Sequence, residues 1–75
     1  MITVYKVKYH PATVNTGARF TVTRMDDKRT YRTAYNYGAL RAECHAIHEA
    51  FGEDTARLEF AGRMSKDAAL YAVSH

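Results

Sequence analysis

Residues Ala18–Asn36 read ARFTVTRMDDKRTYRTAYN, with apolar and polar side chains alternating on both sides of Asp26-Asp27. A period of two is the mark of an extended strand with one buried face. Folding the two arms back on each other around the acidic pair sets Met25 opposite Lys28, Val22 opposite Tyr31, Phe20 opposite Thr33 and Ala18 opposite Tyr35. On the other face it sets Arg19 by Ala34, Thr21 by Arg32 and Thr23 by Thr30. Both arms then agree on which side is buried, as a stable hairpin requires. A loop of two or four residues keeps that agreement, whereas three would turn one strand over. Asp-Asp is a poorer tight-turn pair than Asn-Gly, which favours the longer loop.

Working outward, Thr3, Tyr5, Val7 and Tyr9 alternate with Val4, Lys6 and Lys8, predicting a first strand that ends at His10-Pro11. The loop PATVNTG separates it from the hairpin. From Ala39 the period changes, and Leu40, Cys44, Ile47 and Phe51 mark one stripe of a helix over residues 39–51 stopped by Gly52. Ala56, Leu58 and Phe60 alternate with Thr55, Arg57 and Glu59, predicting a fourth strand. In the tail, Ser65 as an N-cap with Asp67 in the first turn predicts a short helix; a fifth strand over Ala69–Val73 is the alternative. The expected fold is one α+β domain spanning residues 1–75: a three-stranded antiparallel meander on one helix, then a strand and a short helix, β-β-β-α-β-α.

A chain of 75 residues buries only about 60% of its unfolded surface, which leaves little room for a deep catalytic cleft. The lone Cys44 excludes an intramolecular disulfide, and the opening ITVYKVKY resembles neither a signal peptide nor a membrane span, so a cytoplasmic location is expected. Charge is uneven: residues 1–37 hold seven Lys/Arg against two Asp, and residues 38–75 hold four Lys/Arg against six Asp/Glu. A cationic sheet joined to a mildly acidic helical part favours an anionic partner on one side.

Under the hairpin register the open sheet face carries Lys6, Lys8, Arg19 and Arg32 among Thr21, Thr23, Thr30 and Asn36. Cations in rows with hydroxyl and amide donors suit phosphate oxygens, and a β-ribbon fits a DNA major groove. The same residues would also solvate an exposed sheet and discourage edge association. Tyr31 and Tyr35, which could stack bases, fall on the buried side of the alternation. In CHAIHE, Cys44 and His48 are helical neighbours, but two ligands do not complete a structural metal site, and Cys44 lies on the apolar stripe where a nucleophile would be inactive. Asp26-Asp27 and Glu53-Asp54 sit in turns, with nothing to enclose them for acid–base work. No catalytic residue, cofactor, metal or small-molecule substrate is therefore expected.

The ending FGEDTARLEF, through Gly52, Glu53, Ala56, Arg57, Leu58 and Phe60, resembles that of AP2-like and integrase-type three-stranded-sheet DNA-binding domains. Gly17, Phe20 and the Lys28-Arg29 pair fall roughly where those domains have their second and third strands. The resemblance implies DNA contact by the sheet through Lys6, Lys8, Arg19 and Arg32, with the helix as support. A second expectation is a small phage or mobile-element accessory protein, monomeric or homodimeric, that binds and inhibits or adapts a larger host complex. Tyr9, Met25, Met64 and Tyr71 would then supply the interface.

Overall fold

The structure, a computed structural model, describes residues 1–36 and 38–75. Five strands, β1 (Ile2–His10), β2 (Arg19–Arg24), β3 (Arg29–Ala34), β4 (Glu59–Ser65) and β5 (Ala68–Ser74), form one antiparallel sheet in the order β3-β2-β1-β5-β4. One helix, α1 (Ala42–Phe51), and a single 3₁₀ turn, Thr55–Arg57, connect β3 to β4. β1 is the central strand and has a hairpin on each side.

The β2–β3 hairpin adopts the register expected from its alternation, with Val22 opposite Tyr31, Thr21 opposite Arg32 and Arg19 opposite Ala34. Its loop is the longer one, because Arg24 pairs with Arg29 and leaves four residues between them. Arg24 makes a two-pronged contact with Asp27, at 3.1 and 2.6 Å, and Asp27 also accepts the Arg29 N–H. The Arg24 hydrogen bonds hold the Asp27 carboxyl down to about 2. Lys28 closes the loop at φ 62, a left-handed conformation that suits glycine better than a residue with a Cβ.

On one sheet face Tyr5, Val7, Phe20, Val22 and Val73 pack beneath Cys44, Ala46 and Ile47, with Leu58 closing the end of the core. Small residues at Ala42, Cys44, Ala46 and Ala50 let the helix backbone come close to this aromatic floor. Both helix ends are tied to the sheet by phenols: the Tyr71 hydroxyl donates to Glu43 in the first turn at 2.7 Å, and the Tyr5 hydroxyl donates to Glu53 just past the last turn. Gly52, at φ 76, returns its N–H to the His48 carbonyl and terminates the helix as the sequence predicts.

Four expectations are corrected. The tail is β5, not a helix: the Ser65 hydroxyl does cap a backbone N–H, that of Asp67, but inside the Lys66-Asp67 turn of the β4–β5 hairpin. The same side-chain chemistry serves helix starts and turns, so the cap signal was ambiguous. The fourth strand begins at Glu59, because Asp54 accepts the Ala56 N–H and winds Thr55–Arg57 into a 3₁₀ turn. The helix begins at Ala42, not Ala39; Arg41 sits at φ 55 and Leu40 is 87% exposed, outside the apolar stripe. Tyr31 does face the helix side and packs on Phe51, yet on edge strand β3 it stays 45% exposed.

Replacing Lys28 by glycine should raise stability by about 0.5–1 kcal/mol in urea denaturation, since relief of the left-handed strain outweighs the added chain entropy. A loss would mean that the Lys28 side chain supports the loop. Burial, reinforced by the neighbouring carboxylates, pushes the Tyr5 and Tyr71 hydroxyls well above the ordinary phenol range. Their folded values exceed the unfolded one, so the stability they contribute is present below about pH 10 and is lost as pH rises above it. Ultraviolet titration should show a tyrosine step that appears only as the fold is lost, and Tyr5→Phe with Tyr71→Phe should remove that delayed step.

Candidate nucleic-acid interface

Among the described residues, no element covers the face of the sheet away from α1. Strand alternation and register bring Lys6, Lys8 and His10 of β1, Arg19, Thr21 and Thr23 of β2, and Thr30 and Arg32 of β3 onto it. Three cross-strand rows result: Lys6–Thr23–Thr30, Lys8–Thr21–Arg32, and His10–Arg19–Ala34. Thr23 and Thr30 share a hydrogen bond of 3.0 Å, and Thr21 shares one of 2.8 Å with the His10 ring nitrogen Nε2. The six residues singled out in the sequence, Lys6, Lys8, Arg19, Thr21, Thr23 and Arg32, thus occupy one continuous surface. Asn36 does not join them; it lies beyond β3 and uses its side chain to accept the Gly38 N–H.

Among the described residues, none of the four cations forms an ion pair. The cations that do are elsewhere: Arg24 and Arg29 hold Asp27, and Arg63 approaches Glu43 at 3.8 Å. Arg19 also carries a buried Nε with no hydrogen-bond partner. Cations on neighbouring strands repel one another, so three strands bearing them without a carboxylate between them carry an electrostatic cost that an anion would relieve.

The rest of the open face has a different chemistry. Leu70, Ala72, Val4 and Ile2 continue it onto β5 and the start of β1, and Glu59 lies across from Ala72 on β4. No tyrosine or phenylalanine of the five strands lies on this face. Tyr9, Phe20 and Tyr35 pack edge to face on the helix side, with ring centroids 5.0–6.0 Å apart.

His10 is the member of the surface to which the sequence pattern assigns no role, since it stands where the first strand is expected to end, at His10-Pro11. In the structure it is the last residue of β1, facing outward beside Arg19. Burial, then the charges of Arg19, Lys8 and Arg32, lower its basicity below that of a free imidazole; Asp67 opposes them weakly.

The residues considered for a protein interface do not form one surface. Met25 sits at the β2–β3 loop near Val4, whereas Tyr9 lies at the opposite end of β1. Tyr9 lines a 330 Å³ concavity with Phe20, Tyr35, Arg41, Arg63 and Lys66. Met64 is 56% exposed at a bulge in β4, and Tyr71 packs on Phe60. Cys44 is fully buried and its thiol is pushed up by that burial, while His45 and His48 lie on the exposed side of the helix. Among the described residues no group of three His, Cys, Asp or Glu side chains is placed to hold a metal ion. None of their helices is long and apolar enough to cross a membrane.

No protein-family model matches the chain, and no curated protein or solved structure matches it either.

Because Arg32 lacks a carboxylate partner, Arg32→Ala should leave thermal stability within about 0.5 kcal/mol of the parent protein or slightly above it. Arg24→Ala should lower it, since Arg24 holds Asp27 and lies 5.0 Å from the centre of the Phe51 ring. Equal losses in the two variants would show that the open-face arginine has a structural role.

Proposed function

We propose that this protein is a small DNA-binding module without catalytic activity, which lays the β1–β3 half of its open sheet face against duplex phosphates. The observation that carries this reading is the gathering of Lys6, Lys8, Arg19 and Arg32, without ion-pair partners among the described residues, on a surface that no other element covers. Unpaired cations in cross-strand rows with threonine hydroxyls suit the chemistry of a phosphate backbone. The lack of a tyrosine or phenylalanine on that face among the residues of the five strands favours duplex over single-stranded DNA, whose non-specific binders stack bases on aromatic rings. Leu70, Ala72 and Val4 beside the cations offer apolar contact of the kind a thymine methyl or sugar edge accepts.

A second reading, a protein partner such as a larger complex that the module inhibits or adapts, draws on the edge strand β4. There Phe60 is 58% exposed, and Arg63 lies 5.9 Å from the centre of its ring. Aromatic and arginine side chains of this kind often serve as interface anchors.

Binding of a mixed-sequence duplex should weaken steeply with salt. For about four phosphate contacts, log affinity against log salt should have a slope near −3 to −4, and each of Lys6→Ala, Lys8→Ala, Arg19→Ala and Arg32→Ala should make it shallower by about 1. Arg63→Ala, on the opposite face, should leave the slope unchanged. A flat salt response, or open-face variants that bind like the parent, would reject the module. A protein retained on the purified chain after nuclease treatment, and lost with Phe60→Ala, would favour the second reading.

A further inference from the structure

Within the open face, and resting on the DNA-binding reading, we propose that Lys8, His10, Arg19 and Arg32 form one phosphate seat centred on Thr21, in which His10 is protonated when the seat is filled. The register builds the ring. Lys8 and Arg32 lie directly across from Thr21 on either side, Arg19 is two residues away on the same strand face, and His10 is the diagonal neighbour that hydrogen-bonds Thr21 at 2.8 Å. Such cross-strand and diagonal positions lie within reach of long side chains. Ala34, at the sixth position of the two rows, leaves the β3 side of Arg19 open.

Burial, and then the cations around it, Arg19 on β2, Lys8 on its own strand and Arg32 on β3, disfavour a charge on the His10 ring. Asp67 in the β4–β5 turn is the one opposing charge. The ring therefore takes up a proton less readily than a free imidazole. A phosphate placed among the three cations reverses the local field and stabilises the imidazolium, which gains a donor toward the anion. Proton uptake and anion binding are then linked, so affinity must rise as pH falls through the imidazole range. Lys6, one row further along β1, contacts phosphate outside the seat and has no part in this coupling.

The test follows the His10 ring by NMR pH titration, its signal identified by loss in His10→Gln, in the free protein and with a saturating mixed-sequence duplex at low salt. The expected midpoint lies below about 6.5 in the free protein and rises by about one unit or more in the complex. The duplex dissociation constant should fall about tenfold between about pH 8 and about pH 5.5. Lys6→Ala should keep that pH dependence and His10→Gln should lose it. A midpoint that does not move in the complex, or a His10→Gln variant that tightens with acid like the parent, overturns the seat while salt-dependent binding leaves the module standing. A full shift with inorganic phosphate and none with duplex reassigns the ring to a small free anion and overturns the proposal. Failure to bind duplex at any pH or salt overturns both readings.

Discussion

Burial of Tyr5, Val7, Phe20 and Val22 beneath Cys44, Ala46 and Ile47 is the constraint on which the other features depend. Side chains alternate along a strand with period two, so choosing this face for the core commits Lys6, Lys8, Arg19 and Arg32 to water. A one-residue slip of β2 would bring Arg19 and Thr21 under the helix and expel Phe20. The cost of burying a guanidinium and losing a large aromatic burial together would exceed the few kcal/mol of net stability available to a domain this small. The surface chemistry is thus enforced by the core. The Tyr5–Glu53 and Tyr71–Glu43 hydrogen bonds then hold the helix over that face at both of its ends.

How much of this was legible in the chain depended on whether the determining contact was local. In Ala18–Asn36 two strands check one another across a short loop, and the register followed from alternation alone. The α1 stop at Gly52 was equally local. The tail was not: Ser65 and Asp67 fit a helix cap and a hairpin turn alike, and the deciding contact is the pairing of β5 with β1, more than sixty residues away. Thr55–Arg57 alternates like a strand, but the Asp54 carboxylate winds it up before β4 starts. The cationic surface was visible because it shares the hairpin's period. Its apolar neighbour was not, since Leu70 and Ala72 reach the open face only through β5. The same holds for the Arg24–Phe51 contact and the 330 Å³ concavity, which need the helix in place.

A sheet of this size with one bare face has two exposed edges to protect. β4 is interrupted by two register shifts, one beside Gly62 at φ 129, a conformation that residues with a Cβ rarely adopt. Bulges of this sort twist an edge away from further pairing. β3 is regular, and its protection is chemical: Arg29 and Arg32 make strand-to-strand association of two copies a meeting of like charges. The cations therefore serve solubility on the edge even where they also line the proposed phosphate seat. What separates the two roles is position. Arg29 is spoken for by Asp27, whereas Lys8, Arg19 and Arg32 surround Thr21 without a carboxylate among them.

The distribution of charge also decides how the molecule would meet a polyanion. The first half of the chain, net positive, supplies β1–β3, and the acidic second half supplies the helix and the segment after it. Much of that acidity is engaged at the helix side: Glu43 faces Tyr71 and Arg63, and Glu53 faces Tyr5 and His75. Anions of the helix side lie behind the sheet and repel a phosphate backbone, while the open face attracts it. The resulting field turns the sheet toward the partner before contact, an effect that raises encounter rates and fades with salt. In the proposed binding mode the sheet sets the sign of the partner and the helix sets the orientation of docking. An apolar contribution to base preference would come from the border where Leu70 lies across from Lys6, with Ala72 beside it, on the open face of β1 and β5.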